Sequence, residues 1–138
     1  MKSQYFLAKT DPETYSVQQF SAEGETEWDG VRNPQALRAI RQMHPADVVF
    51  VYHSMKEAAI VGLAEVLSEP MQDAKDSKLW SVRLKFRTLL EPAVPLKEIK
   101  QSGLFDDWAL VRQSRLSTMT APDDFVQWMR KKFPAIKL

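Results

Sequence analysis

The sequence predicts an α+β domain, with a curled sheet or small barrel closed by short helices. Three observations carry this. Strand-like runs outnumber helical ones, and the helical runs fall between and after them. Two runs, Asp47 to Tyr52 and Ile60 to Leu67, are apolar at nearly every position, as strands covered on both faces are. Trp80 to Leu90 alternates with period two. Trp80, Val82, Leu84, Phe86 and Leu90 take one face, and Ser81, Arg83, Lys85 and Arg87 the other, so one face is buried. The basic face reads by default as a solvated one.

The elements follow in order. Tyr5 to Lys9 is a first strand, stopped at Thr10-Asp11-Pro12 because Pro12 biases Asp11 away from helix. Ser16 is an N-cap for a short helix through Phe20, which Gly24 ends. Thr26 to Trp28 reads as a brief strand. Asn33 to Met43 is a helix whose Leu37, Ile40 and Met43 face the core, and His44-Pro45 stops it. In the strand Ile60 to Leu67, Gly62 marks a bulge or a close approach of other backbone. Pro70 to Lys78 is polar and loop-like. Pro92 and Pro95 form a linker into a short helix, Pro95 to Gln101, ended by Gly103. Asp106 to Leu110 gives no clear signal, and Arg112 to Ser117 is polar and basic. The last helix starts between Thr120 and Pro122, with Thr120 and Asp123 at capping-box spacing. Phe125, Trp128, Met129 and Phe133 form its inner face, and Pro134 closes it.

Composition bounds the function. A chain of 138 residues fits one domain with a real core. The 44% hydrophobic and 27% charged fractions are those of a soluble globular protein. A net charge of +1 supplies no strong overall field, so nucleic-acid binding has to come from a local cluster. The absence of cysteine removes disulfides, thiol catalysis and cysteine zinc sites, and suits a reducing compartment. No apolar run is long enough for a signal peptide or a membrane span, so a cytoplasmic, soluble protein is expected.

The densest chemistry is Trp28-Asp29-Gly30-Val31-Arg32-Asn33. Gly30 allows close approach of the backbone to another surface. Trp28 offers a face for stacking, Arg32 a permanent cation, and Asn33 an amide that can read a base edge. Each also has a plain structural reading. Asn33 before Pro34 is a good helix N-cap, Trp28 can be core, and Arg32 can pair with Asp29.

Catalytic signals are missing. There is no Gly-rich phosphate loop and no G-x-S-x-G elbow. Two histidines, His44 and His53, are too few for a metal site. His53 and Ser54 can be drawn as part of a triad, but neighbours on an extended strand point to opposite faces. Aromatic and amide groups beside arginines in loops fit binding better than bond-making.

Five motifs, in order and across nearly the whole chain, resemble those of the EVE domain family. Tyr5-Phe6-Leu7-Ala8-Lys9-Thr10-Asp11-Pro12 looks like the family's opening Y-W-L-x-K-[ST]-E-P. Trp28 to Asn33 matches W-D-G-V-R-N, and Tyr52-His53-Ser54 matches Y-H-S. Gly62-Leu63-Ala64-Glu65-Val66 matches G-x-A-E-V, and Arg112 to Ser117 matches R-Q-S-R-L-S. The chain departs at Phe6, Asp11, Pro34 and Met55, where the family commonly has tryptophan, glutamate, tyrosine and asparagine.

This resemblance implies a PUA-like fold, a curled mixed sheet or small β-barrel flanked by short helices. It implies a pocket for a modified nucleobase in DNA or RNA and no known catalytic activity; no cofactor or metal is expected. The layout is more distantly similar to YTH-type readers of methylated adenine, where a tryptophan at the position of Trp28 forms part of an aromatic cage. Carried over, the base-pocket residues are Lys9, Thr10, Trp28, Asp29, Asn33, His53, Ser54, Leu116 and Ser117. The phosphate-contacting residues are Arg32, Arg112 and Arg115, with 5-methylcytosine or 5-hydroxymethylcytosine the first candidate bases. Two competitors stand beside this reading: a small-molecule or nucleotide-processing enzyme using His53, and a protein-interaction domain with a vestigial pocket.

Overall fold

A computed structural model describes residues 3–138. Strand β1 (Tyr5–Thr10) buries Phe6, Leu7 and Ala8 completely. Helix α1 (Val17–Glu23) starts where the Ser16 hydroxyl accepts from the Gln19 N–H. It ends at Gly24, whose φ of 81° is accessible to glycine without strain. After β2 (Glu25–Trp28) comes α2 (Pro34–Arg41), which buries Ala36, Leu37, Ala39 and Ile40. Burying Leu37 and Ile40 stabilises the domain by about 1.5–3 kcal/mol each. Strands β3 (Val48–His53) and β4 (Ala59–Val66) are buried almost throughout, as their apolar runs require.

A two-residue β5 (Met71–Gln72) interrupts the polar stretch expected to be loop. Then come β6 (Trp80–Pro95), α3 (Leu96–Ser102), α4 (Ala109–Arg112), β7 (Thr118–Thr120) and α5 (Asp123–Lys132). Two differences from the sequence reading have a clear physical cause. Pro92 and Pro95 belong to β6 rather than to a linker. Leu89 pairs with Gly62 and Val94 with Ile60, so residues 90–93 have no β4 partner and Pro92 removes no ladder hydrogen bond. Thr120 ends β7 opposite Phe6, so it is unavailable as a cap, and α5 starts after Pro122 without a side-chain cap.

The main sheet runs β2-β6-β4-β3-β1-β7, with β5 paired beside β6. β1 and β3 are parallel and every other pair is antiparallel, so the sheet is mixed. α2 packs on both β6 and β7, which have three strands between them in the sheet order. One short helix can touch both only if the sheet curls around it. The fold is therefore a curled mixed α+β sheet whose edge strands, β2 and β7, approach each other across α2. The basic stripe of β6 is partly neutralised at home: Arg83 lies 3.6 Å from Glu25, and Arg87 pairs with Glu65.

Candidate nucleic-acid interface

The gap between the two edges of the curl is a cavity of about 550 Å³. The end of β1 supplies Lys9 and Thr10, and the β1–α1 turn supplies Thr14 and Tyr15. The end of β2 and the loop behind it supply Thr26 to Arg32, and Ser117 enters just before β7. The Lys9 N–H donates to the Ser117 carbonyl at 2.7 Å, continuing the β1–β7 pairing to the cavity's rim. Other clefts are as large, about 600 Å³ and 620 Å³, so chemistry rather than size singles this one out.

Of the residues expected here, Lys9, Thr10, Trp28, Asp29, Arg32 and Ser117 come together. Trp28 is only 8% exposed, so it is both core and cavity wall. Its ring lies 6.1 Å from that of Phe20 and edge-on to Tyr15 at 6.3 Å. The half-buried Tyr15 ring was not foreseen; its hydroxyl donates to Glu23 Oε1 at 2.6 Å. Burial, and then the acceptor Glu23, push the Tyr15 phenol above its ordinary range. Lys9 reaches 3.1 Å from the Ser114 carbonyl and lies over the Tyr52 ring, 5.4 Å from its centroid. Burial lowers its ammonium pKa, because the charged form loses water.

Four residues expected at the cavity do not line it. Asn33 is used as a cap: its Oδ1 accepts from the N–H groups of Gln35 and Ala36, at 2.8 and 3.2 Å. His53 is buried, 2% exposed, at the end of β3. Its Nε2 accepts from the Val17 N–H at 2.9 Å, and its Nδ1 lies 3.3 Å from Glu57 Oε2. Val17 is the first residue of α1, so His53 satisfies a backbone donor the helix leaves free. Ser54 binds back to β1: its N–H and hydroxyl both donate to the Thr10 carbonyl, at 2.9 and 3.3 Å. Leu116 is core, 3% exposed.

The loop residues divide further. Gly30 lines the cavity at φ 77°, and a Cβ there meets nothing within 4 Å. Its glycine serves the left-handed backbone rather than a close approach. Arg112 pairs with Asp107 at 3.3 Å, while Arg115 is exposed two residues before Ser117. Among the described residues, no group of three or more His, Cys, Asp or Glu could hold a metal ion, and no helix is long and apolar enough to cross a membrane.

Comparison with known proteins places the chain. The family model described as EVE domain matches residues 4–132. Thymocyte nuclear protein 1 of Mus musculus is 31% identical over 126 residues, covering 71% of this chain and 56% of its own length. That of Homo sapiens is 28% identical over an alignment of 172 residues, covering 96% of this chain and 76% of its own. The chain thus spans from about half to three quarters of these relatives. A solved protein of Rhodopseudomonas palustris superposes with a TM-score of 0.88 at 31% identity, covering 98% of this chain and 96% of its own. The human THYN1 protein in complex with 5-methylcytosine containing DNA superposes at 0.83 with 25% identity, covering 94% and 98%. An ASCH protein of Zymomonas mobilis shares the fold alone, at 0.58 and 9% identity, covering 93% and 94%. With nearly its whole length matched by the family model, the chain belongs to the EVE domain family.

Proposed function

We propose that this domain binds nucleic acid and holds one extruded base, a 5-modified cytosine, in the cavity between the edges of its curled sheet. The observation that carries this is the composition of that cavity. Two aromatic rings, Trp28 and Tyr15, meet the polar groups of Lys9, Thr10 and Ser117, with the Arg32 cation among the lining residues. Aromatic faces hold a base by stacking, worth roughly 1–3 kcal/mol per base, and the polar groups fix its orientation. The similar human protein solved with 5-methylcytosine containing DNA supports the choice of cytosine.

We read the domain as a binder rather than a catalyst. The histidine on which an enzyme reading rests has both ring nitrogens engaged inside the protein. A general base needs reach to the proton it takes, and His53 does not line the cavity.

A 5-methyl group buried against these rings adds about 0.8 kcal/mol, or several-fold in affinity. Fluorescence anisotropy with matched single strands carrying cytosine, 5-methylcytosine or 5-hydroxymethylcytosine tests this. A modified strand should bind several-fold tighter than its match, and Tyr15→Leu should remove the difference. Equal affinities for all three strands would reduce the domain to a generic binder. Trp28→Ala is a poor probe, because losing so buried a ring costs about 3–5 kcal/mol of stability by itself.

A further inference from the structure

We propose that a second groove, along the outer side of α2, carries the nucleic-acid strand that flanks the extruded base. The proposal rests on the base-binding reading and extends it to the path of the backbone. The groove, about 620 Å³, runs between α2 and the segment entering β6, and is lined by Arg32, Leu37, Arg38, Arg41, Lys78 and Trp80 among others. Arg32 lines both this groove and the base cavity, so the two are continuous at that side chain.

Its charge is distinctive in a chain of net charge +1. Four cations, Arg32, Arg38, Arg41 and Lys78, face one carboxylate, Asp76, whose Oδ1 already accepts from the Lys78 N–H at 3.0 Å. Among the described residues, none of the four lies within 4.0 Å of a carboxylate oxygen. Arg83, Arg87 and Arg112, by contrast, each have an acidic partner. Cations left unpaired beside one another repel, and a bound polyanion relieves that repulsion.

The spacing favours a strand over a single anion. Arg38 and Arg41 are three residues apart on one face of α2, and Arg32 precedes its cap. The eight-residue helix is about 12 Å long, enough to run alongside more than one phosphate of a strand. At the far end the Arg41 guanidinium lies 4.9 Å from the centroid of the half-buried Trp80 ring. Stacked arginine and tryptophan make a platform for a neighbouring base. The flanking strand thus runs from the cavity past Arg32, along Arg38 and Arg41, to Trp80 and Lys78.

The test uses the full chain and two 12-nucleotide single strands, one with a central 5-methylcytosine and one unmodified, titrated across a salt series. The triple variant Arg38→Gln, Arg41→Gln, Lys78→Gln changes no residue that lines the base cavity. Its slope of log affinity against log salt should fall by about 2, since each single-strand contact contributes about 0.7. Both probes should weaken alike, leaving the modified-to-unmodified ratio intact. Trp80→Leu should weaken both probes with little change of slope. An unchanged slope in the triple variant with the ratio preserved overturns the groove and leaves the base reading standing. A lost slope together with equal wild-type affinities for the two probes upholds the groove and overturns the base reading. A wild-type chain that binds neither strand but retains a poly-glutamate peptide overturns both.

Discussion

His53 shows how one residue's chemistry and its use can part. In sequence it is a titratable group at the mouth of a central strand, next to Ser54, and it attracts a site reading. In the fold its Nε2 takes the Val17 N–H, which leaves the proton on Nδ1 to face Glu57. The clasp joins residues 36 positions apart, which no local pattern displays. His53→Ala leaves a buried donor unsatisfied and should cost about 1–3 kcal/mol in denaturant unfolding, while the modified-to-unmodified affinity ratio stays put. A variant as stable as the parent would remove the clasp from the account. Asn33 was the opposite case, because Asn-Pro ahead of a helical pattern states its capping role locally. Trp28 satisfies both of its readings at once, since a ring can floor a cavity while packing on Phe20. Tyr15 went unread although its place was informative: an aromatic in the turn between the family's opening motif and the Ser16 cap.

At the scale of elements, periodicity located the strands and failed where the pairing itself is irregular. The alternation of Trp80 to Leu90 reads off cleanly, but β6 continues past Pro92 only because a four-residue stretch escapes pairing with β4. Three-residue β7 is too short to carry a period at all. Gly62 was legible as a bulge, and the closest approach it allows is that of a side chain from α1 rather than of other backbone. The β4–β6 register shifts beside it, and the Val17 side chain of α1 packs against it. A Cβ there would stand 2.9 Å from Val17 Cγ2 and 3.1 Å from the Thr88 carbonyl oxygen. Valine is stiff at χ1 and a sheet carbonyl is fixed by its ladder, so neither gives way easily. Gly62→Ala should therefore destabilise by about 1–3 kcal/mol, read from the shift of the urea midpoint. Adding Val17→Ala to it should cost less than the sum of the two single changes. Strict additivity would show that the crowding is imaginary.

The whole molecule sets the terms on which a base can be reached. The α+β class was legible because buried strands and short helices leave few other ways to cover both faces of a sheet. A curled sheet or small barrel was expected from the same pattern, but not what holds the curl, which depends on α2 meeting β6 and β7 together. That same curl makes the cavity a gap between strand edges rather than a groove across a flat sheet. Trp28, at 8% exposure, lies too deep for a base still stacked in a duplex to touch it. A target base must leave its helix, and the unpairing and unstacking cost a few kcal/mol, least where pairing is already broken. With a net charge of +1, backbone attraction is too local to hide that cost. At constant salt, a duplex with 5-methylcytosine opposite a mismatched base should therefore bind at least about tenfold tighter than the fully paired duplex, which corresponds to 1.4 kcal/mol. A single strand of the same sequence should bind at least as well as the mismatched duplex. Competition anisotropy with the three probes decides it: a fully paired duplex that competes as well as the mismatch means the base is read in place, and the cavity between the edges of the curl is not where it goes.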